Sequence, residues 1–261
     1  MKTALLISTY NWPEALELIL NSILIQTVTP DVVLIADDGS DERTTELIHK
    51  FQAMNNLTIN HYWQEDKGFR KSKILNKSIA QSTADYIIQV DGDCILHKNF
   101  IKDHINNAET GIYLYGSRVN ILPQHVDTVI KNKKIFFSLF SKEIKNKTRT
   151  LNIPFLSRLY LPHFGISKKF RGCNVSFWRK DFIAINGYNE AFEGWGREDS
   201  DLAIRLGNNG VKGRRLRYCG VVFHIYHHEK SKDNLGINNL IQENTIKNKI
   251  TGCDKGIQQY L

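Results

Sequence analysis

The sequence has few cysteines and no long hydrophobic run. Its four cysteines, among 261 residues, are scattered without a CxxC pair or a zinc-finger spacing, which argues against a disulfide framework and a structural zinc site. No stretch of about 18 uncharged apolar residues occurs, so a membrane-spanning helix is not expected. The opening residues MKTALLISTYNW lack a small-residue cleavage site and are interpreted as a first strand, not a signal peptide. A reducing cytosol is the simplest compartment.

Acidic residues are nearly missing from one segment. The formal net charge is +8, but residues 130–180 contain thirteen Lys and Arg against one acid, Glu143, a local balance of +12. The other 210 residues are slightly acidic, at −4. The segment indicates an anionic partner, such as phospholipid, a charged glycan or nucleic acid, although a solvated lysine-rich loop has the same composition.

Short apolar runs alternate with amphipathic stretches over the first 120 residues. The composition, 41% hydrophobic and 10% aromatic, is sufficient for a core in one large domain or two intimate ones. The predicted strands are residues 3–8, 32–36, 57–62 and 86–90, and the predicted helices are residues 13–25, 42–54 and 70–81. This alternation predicts an α/β fold with a parallel sheet, whose ligands bind beyond the carboxyl ends of its strands.

The four predicted strand ends are polar. They carry TYN at residues 9–11, DDGS at 37–40, EDKG at 65–68 and DGD at 91–93. One such sequence alone is equally well explained as a turn with a helix cap, but four successive ones predict a binding site.

The periodic pattern fades over residues 120–170 and returns at residue 172. A strand is predicted for residues 174–178, short helices for 179–185 and from 198 to about 209, and a strand for 216–226 that is followed closely by His227 and His228. The polar tail from Glu229 onward is predicted to be partly helical. No internal repeat is evident.

Two clusters carry chemistry. Asp91 and Asp93 repel each other at the end of a buried strand, so a hard divalent cation is expected beside them, with His224 or His227 as a third ligand. The sequence GWGREDSD at residues 194–201 places three acids beside a tryptophan, which suits a general base next to a platform for a sugar ring. The ordinary alternatives are a surface histidine and a helix cap.

Taken together these motifs resemble a known family. STYNWPEAL, ADDGSDE, EDKGFRKSKILNKSI and VDGDC resemble the family 2 glycosyltransferases of GT-A fold. RGCNVSFWRKDFIAINGYNEAFEGWGREDSDLAIR resembles the C-terminal catalytic segment of β-1,4-galactosyltransferases and chondroitin-type N-acetylgalactosaminyltransferases, and FHIYHHEK resembles a metal-binding block of the latter. The resemblance implies a Rossmann-like nucleotide-sugar-binding fold with a mixed central sheet and a helical basic insertion.

The resemblance also implies roles for individual residues. Asp199 matches the catalytic base, Glu198 the acid that orients the acceptor, and Trp195 an acceptor platform. Asp93 and His227 match the metal ligands, with Asp91 on the metal-bound water or the ribose and His224 in reserve. The implied donor-binding residues are Thr9, Tyr10, Asn11, Asp37, Asp38, Asp66, Arg70, Lys73, Asn76 and Asp91.

The implied activity is inverting transfer of Gal, GalNAc or GlcNAc from a UDP-sugar to a hydroxyl of a glycan or lipid-linked glycan, with Mn²⁺, or else Mg²⁺, as cofactor. The expected location is the inner face of the cytoplasmic membrane of a bacterium, in surface polysaccharide synthesis. The expected division is residues 1–119 for the nucleotide-sugar half, 120–170 for a basic insertion on the acceptor or membrane side, 171–228 for the catalytic half and 229–261 for a tail.

Two other function classes fit parts of the sequence. A nucleotidyltransferase also uses paired carboxylates, but no Gly-rich phosphate loop followed by lysine is present. A non-enzymatic module that binds anionic lipid or nucleic acid accounts for the basic segment alone. Because the basicity is local, anionic lipid or an acidic glycan is favoured over nucleic acid.

Overall fold

The computed structural model describes residues 1–228, 231 and 233–261. Its strands are β1 Thr3–Thr9, β2 Val32–Asp37, β3 Ile59–Trp63, β4 Tyr86–Asp91, β5 Cys94–Leu96, β6 Ile112–Tyr115, β7 Ser117–Ile121, β8 Ile144–Lys145, β9 Asn174–Trp178, β10 Lys212–Arg215 and β11 Val221–His224. Its α-helices are α1 Pro13–Leu24, α2 Glu42–Ala53, α3 Lys71–Ala80, α4 Phe100–Asn107, α5 Val126–Lys131, α6 Pro154–Ser157, α7 Arg179–Ala184, α8 Glu198–Asn208 and α9 Leu235–Lys247.

The strands form a large mixed sheet and a smaller one. The large sheet has the order β10-β6-β9-β4-β1-β2-β3, in which β9 runs antiparallel to both β4 and β6 while the other neighbours are parallel. The small sheet has the order β5-β11-β7-β8. This arrangement is the predicted α/β fold with a mixed central sheet.

Helices cover both faces of the large sheet. Leu5 and Ile7 of β1 share a core cluster with Leu16 and Ile19 of α1, whereas Leu6 of β1 packs on the opposite face with residues of α3. A strand covered on both faces has no polar side to expose. This is why β1 and β2 consist of continuous apolar runs in the sequence.

The predicted elements of the first half match the structure to within about two residues at each end, the usual uncertainty of a helix or strand boundary. The strand predicted for residues 216–226 is wrong in extent, because β11 covers only Val221–His224. Tyr218 and Gly220 before it have φ values of +67° and +56°, and this left-handed backbone forms a turn that a strand cannot contain.

The predicted basic insertion, residues 120–170, has little regular structure. It contains α5, α6, two short 3₁₀ turns and the two-residue strand β8, which pairs with β7. None of the described helices is both long enough and apolar enough to cross a bilayer. The last two residues of the FHIYHHEK motif, Glu229 and Lys230, lie outside the described residues.

A buried ion pair fixes α8 in the fold. Arg205 and Asp201, one helical turn apart, are 1% and 0% exposed, and the Arg205 Nε lies 2.7 Å from the Asp201 Oδ2. The Thr245 hydroxyl of α9 donates to the other Asp201 oxygen, and the Arg205 guanidinium donates to the carbonyl oxygen of Ile185. One pair therefore connects α8 to α9 and to the end of α7.

We expect Arg205→Met to lower the free energy of unfolding by about 3–5 kcal/mol, because it leaves the Asp201 carboxylate buried without its cation. Chemical denaturation monitored by circular dichroism measures the change. Arg43→Met is the matched control, since the Arg43 ion pair with Asp41 is exposed and such pairs contribute about 0–1 kcal/mol. Equal losses in the two variants would contradict this role of the buried pair.

Candidate active site

The carboxyl ends of β1, β2 and β4 meet beside one cavity of about 1050 Å³. The strand register places Thr9 next to Asp37 and Ser8 next to Asp91. The wall of the cavity also includes the first turn of α8 and the residues just after β11. The fold thus brings both sequence clusters, the DGD of β4 and the GWGREDSD before and within α8, to the same space.

One carboxylate and two imidazoles converge at the end of β4. The Asp93 Oδ2 lies 3.1 Å from the His227 Nε2 and 3.4 Å from the His224 Nε2. One ligand atom from each of the three residues lies within 4.8 Å of the others. Burial raises the pKa of Asp93, but the hydrogen bond from His227 and the charges of both histidines lower it to about 2. An ionised carboxylate with two imidazoles is a donor set that fits a divalent transition-metal ion.

Asp91 has a different partner from Asp93. The Lys71 Nζ lies 2.5 Å from the Asp91 Oδ1, and the Ser8 hydroxyl donates to the same oxygen at 2.9 Å. Burial lowers the pKa of Lys71, but the negative charges of Asp91 and Glu198 more than offset this effect and raise it well above its usual value. Lys71 is therefore a permanent cation between the end of β4 and the start of α8.

Left-handed backbone precedes α8. Gly194, Gly196 and Arg197 have φ values of +72°, +103° and +80°, a conformation that glycine adopts without strain. The turn leaves the Trp195 side chain 40% exposed and part of the cavity wall. The two glycines flanking Trp195 in the sequence therefore present an indole at the cavity.

The two acids that open α8 have different surroundings. Burial, followed by the charge of Asp199, raises the pKa of Glu198 to about 7. The Asp199 Oδ2 accepts a hydrogen bond from the Gly172 N–H at 2.7 Å. A Cβ at position 172 would come within 2.5 Å of the Asp199 Cβ, so only glycine permits this approach. Glu198 can hold a proton near neutral pH, and Asp199 is held in place by the backbone.

Polar residues after β1 and β2 form another part of the cavity wall. The Tyr10 hydroxyl donates to the Asp66 carboxylate at 2.7 Å. Asp38 accepts hydrogen bonds from the Arg70 backbone N–H and from the Gln64 side chain, at 2.8 and 2.7 Å. These bonds fix the loops after β1, β2 and β3 relative to one another.

The structure separates the predicted site residues into two groups. Ten contribute to the cavity wall: Thr9, Tyr10, Asn11, Asp38, Asp91, Asp93, Trp195, Glu198, Asp199 and His227. Six lie outside that wall: Asp37, Asp66, Arg70, Lys73, Asn76 and His224. Among these six, His224 still contacts Asp93, and Asp66 contacts Tyr10. The catalytic and binding roles themselves stay predictions.

Asn76 and Asp37 have partners within the fold. The Asn76 amide is fully buried, donates to the Tyr188 carbonyl oxygen and accepts from the Tyr188 N–H. Asp37 is also fully buried, accepts a hydrogen bond from the Ser40 N–H and lies 3.0 Å from the His61 ring. Both residues shape the loops behind the cavity.

Several polar residues of the wall were given no role by the sequence. Among them are Lys71, Arg118, Arg171 and Gln242. Lys71 is part of the quoted EDKGFRKSKILNKSI block, but a lysine in the first turn of an amphipathic helix is usually solvent-exposed. Arg118 and Gln242 lie in segments with no motif, so only the tertiary structure reveals their position.

Two family models match the sequence. The model described as "Glycosyl transferase family 2" matches residues 4–162, and the model described as "N-terminal domain of galactosyltransferase" matches residues 162–228. Among curated proteins, chondroitin synthase of Escherichia coli is 23% identical over 241 residues, which cover 82% of this chain and 33% of that protein. The chain spans about half or less of the length of the curated relatives it matches.

Solved structures share the fold. The Staphylococcus aureus protein TarS, as the fragment 1–349 in complex with UDP, has a TM-score of 0.65 and 15% identity, covering 100% of this chain and 68% of that one. The mannosyltransferase PcManGT from Pyrobaculum calidifontis, in complex with GDP-Man and Mn²⁺, has a TM-score of 0.60 and 16% identity, covering 85% of this chain and 56% of that one. At such identities the likeness concerns the fold alone.

We expect the raised pKa of Glu198 to appear in the pH dependence of stability. Because its folded pKa of about 7 exceeds its usual value of 4.5, the folded state binds the proton more tightly than the unfolded state. The stability contributed by Glu198 is therefore fully present below pH 4.5 and is lost as the pH rises through 7. Urea denaturation of the metal-free protein from pH 4.5 to pH 8 measures this slope.

Glu198→Gln should flatten that part of the profile, since glutamine does not titrate. A profile with the same slope in the variant and the wild type would show that Glu198 does not carry the shift.

Proposed function

The chain belongs to glycosyl transferase family 2 and has the GT-A fold, and from this we propose that it transfers a sugar from a UDP-sugar to a hydroxyl group of a glycan or lipid-linked glycan. The observation that carries the proposal is the single cavity that holds both a carboxylate–imidazole cluster and a pair of helix-opening acids. The carboxylate–imidazole cluster suits a departing nucleoside diphosphate, and the pair of acids suits an incoming hydroxyl.

The donor would lie along the ends of β1, β2 and β4. Thr9, Tyr10, Asn11 and Asp38 line this end of the cavity and offer hydroxyl, amide and carboxylate groups for a uracil and a ribose. TarS, in the fragment with UDP, supports the choice of nucleotide through its similar fold. Gal, GalNAc and GlcNAc are the donor sugars that the sequence resemblance favours.

Asp93 and His227, together with His224, are the residues that would hold a divalent metal ion. Mn²⁺ is proposed ahead of Mg²⁺, because two imidazoles suit Mn²⁺ better. When bound, such an ion neutralises the negative charge that develops on the leaving diphosphate. The protein itself contributes the placement: Asp93 lies between β4 and β5, and β5 pairs with β11 so that Cys94 stands opposite His224.

Asp199 and Glu198 would act on the acceptor. Asp199 is proposed as the general base that takes the proton from the attacking hydroxyl, held in position by the Gly172 N–H. Glu198, with its pKa near 7, would orient that hydroxyl, and Trp195 would support the acceptor sugar ring. A single displacement of this kind inverts the anomeric configuration, so an α-linked donor yields a β-glycoside.

The proposed setting is the inner face of the cytoplasmic membrane of a bacterium, where the protein contributes to surface polysaccharide synthesis. The support is the charge of +12 over residues 130–180, which favours a peripheral contact with anionic lipid. Nucleic acid is not proposed as a partner, because the rest of the chain is slightly acidic.

A panel of UDP-sugars incubated with the protein and Mn²⁺, with UDP release as the readout, tests the proposed function. Hydrolysis or transfer with at least one UDP-sugar is expected. Consumption of nucleoside triphosphates in place of UDP-sugars would favour a nucleotidyltransferase, and inactivity with every UDP-sugar would refute the proposal.

Asp199→Asn should reduce transfer by a factor of about 10²–10⁴ while the affinity for UDP-sugar stays within a few-fold, because a general base acts mainly in the transition state. Initial rates and isothermal titration with UDP-sugar measure the two effects separately. Asp127→Asn, at an exposed position of α5, is the matched control and should retain full activity. Lost donor affinity in Asp199→Asn would assign Asp199 to the donor site.

His227→Ala should raise the Mn²⁺ concentration for half-maximal activity by about 10- to 100-fold, and by more than His224→Ala does. His227 has the shorter distance to Asp93 and lies in the cavity wall, whereas His224 does not. Mn²⁺ titrations of activity compare the variants, with His49→Ala, exposed on α2, as the control. A larger effect of His224→Ala would reverse the assignment.

A further inference from the structure

Five arginines lie in the wall of the cavity or close to those that do. Arg118 of β7 and Arg171 line the cavity. Arg149, Arg215 and Arg217 complete a set that we call the arginine cluster. Its members come from four separate parts of the chain and only two of them lie in the basic segment, so tertiary structure and not local composition creates the cluster.

Backbone contacts hold the arginine cluster together. The Arg149 guanidinium donates to the carbonyl oxygen of Arg118 at 2.9 Å, and the Arg217 guanidinium donates to the carbonyl oxygen of Thr148 at 3.4 Å. Burial, followed by the charges of Arg215, Arg217, Arg118 and Arg171, lowers the pKa of Arg149. The other four cations are thus near enough to Arg149 to repel it.

Within the described residues, no member of the arginine cluster forms an ion pair with a carboxylate. Other cations that are buried or partly buried do have such partners: Lys71 pairs with Asp91, Arg205 with Asp201 and Arg214 with Glu109. Like charges that are held together without counter-charge destabilise a fold, unless an anionic ligand offsets the repulsion. Guanidinium groups also have the fork geometry that binds phosphate through two hydrogen bonds.

An exposed apolar ridge adjoins the arginine cluster. Phe155, Leu159, Leu161 and Phe164 are 70%, 75%, 77% and 61% exposed. Tyr160, between two of them, has the Arg215 guanidinium 5.9 Å from its ring centroid. Large apolar side chains that are exposed next to one another mark an interaction surface.

His163 joins the apolar ridge to the strand that carries Arg215. Its backbone exchanges both hydrogen bonds with Gly213 of β10, and Arg215 lies two residues further along that strand. The ridge is therefore connected to the arginine cluster through β10.

We propose that the arginine cluster binds the phosphate groups of a lipid-linked acceptor, while the apolar ridge contacts the lipid. The ligand's role as acceptor rests on the proposed function, but the binding site itself does not. An acidic glycan would use the arginines and leave the ridge without a partner. A plain anionic bilayer would contact the apolar ridge and exposed lysines, and this contact would not require arginines that line the cavity.

Vesicle co-sedimentation tests this site with defined probes. The protein, saturated with UDP and Mn²⁺ so that the donor end is occupied, is mixed with phosphatidylcholine vesicles that contain farnesyl diphosphate, farnesol or phosphatidylglycerol as a minor component. Binding to the farnesyl diphosphate vesicles should be at least about tenfold tighter than to the other two, as expected for several charge-assisted hydrogen bonds. Equal binding to phosphatidylglycerol vesicles would reduce the site to a general membrane contact and overturn the proposal.

Arg149→Gln combined with Arg217→Gln should weaken binding to farnesyl diphosphate vesicles by about 10- to 100-fold and leave UDP affinity unchanged. The matched control, Lys50→Gln combined with Lys247→Gln, removes the same charge at exposed positions of α2 and α9 and should have little effect. Equal losses in both double variants would overturn the proposal. A fall in UDP affinity in the arginine variant would assign the cluster to the donor.

Arg149→Lys keeps the charge but loses the fork geometry of the guanidinium group. Its affinity for farnesyl diphosphate vesicles should therefore lie between those of the wild type and Arg149→Gln, and this variant keeps the test valid where the glutamine variants fold poorly.

Leu159→Ser combined with Leu161→Ser should weaken vesicle binding and spare the binding of inorganic diphosphate in solution. Tighter binding of a uronic-acid oligosaccharide than of farnesyl diphosphate would show that the arginine cluster prefers carboxylate to phosphate, and would refute the proposal. Vesicle binding needs no sugar transfer, so a protein inactive on every UDP-sugar can still support the phosphate site.

Discussion

The geometry of the cavity depends on the ionic interaction between the Lys71 ammonium group and the acids around it. The parallel strands deliver carboxylates to one edge of the sheet, and α8 adds two more. Without a cation among them, the acids at the end of β4 and at the start of α8 would repel one another in partly dehydrated surroundings. Lys71 contacts Asp91 directly and is also near Glu198. It thereby allows the carboxylate at the end of β4 and the acids of α8 to share one space.

The position of α8 is fixed independently of this charge balance. Asp201 and Arg205 lie only a few residues after Glu198 and Asp199. Their buried contacts with α9 and with the end of α7 hold the helix in place. The first turn of α8 therefore does not need its own acids to be well paired. This leaves the Glu198 Oε2 buried without a hydrogen-bond partner among the described residues, the condition that raises its pKa. The buried contacts of Asp201 and Arg205 thus allow α8 to keep an unfavourably placed acid, Glu198, in its first turn.

The sequence predicted the family, the GT-A fold and the early strands, and these are confirmed. The reason is physical: strands buried on both faces must be continuously apolar, and their polar ends stand out against that pattern. Prediction failed for the strand at residues 216–226, because a composition rich in apolar and aromatic residues hid the left-handed turn at Tyr218 and Gly220. It also missed Lys71 as part of the site. A lysine in a helix has the same appearance in sequence whether it is solvated or paired with Asp91.

The charge pattern shows what sequence alone could not resolve. Counting along the chain found a basic segment at residues 130–180, yet Arg118, Arg215 and Arg217 lie outside it and join Arg149 and Arg171 only in the folded protein. The cavity wall consequently carries both kinds of charge: carboxylates arranged around imidazoles and a lysine, and two arginines, Arg118 and Arg171, that lack carboxylate partners among the described residues. The carboxylates attract cations and the arginines attract anions. Under the proposed function, a donor whose charge needs a metal ion and an acceptor that carries negative charge of its own would complement this wall.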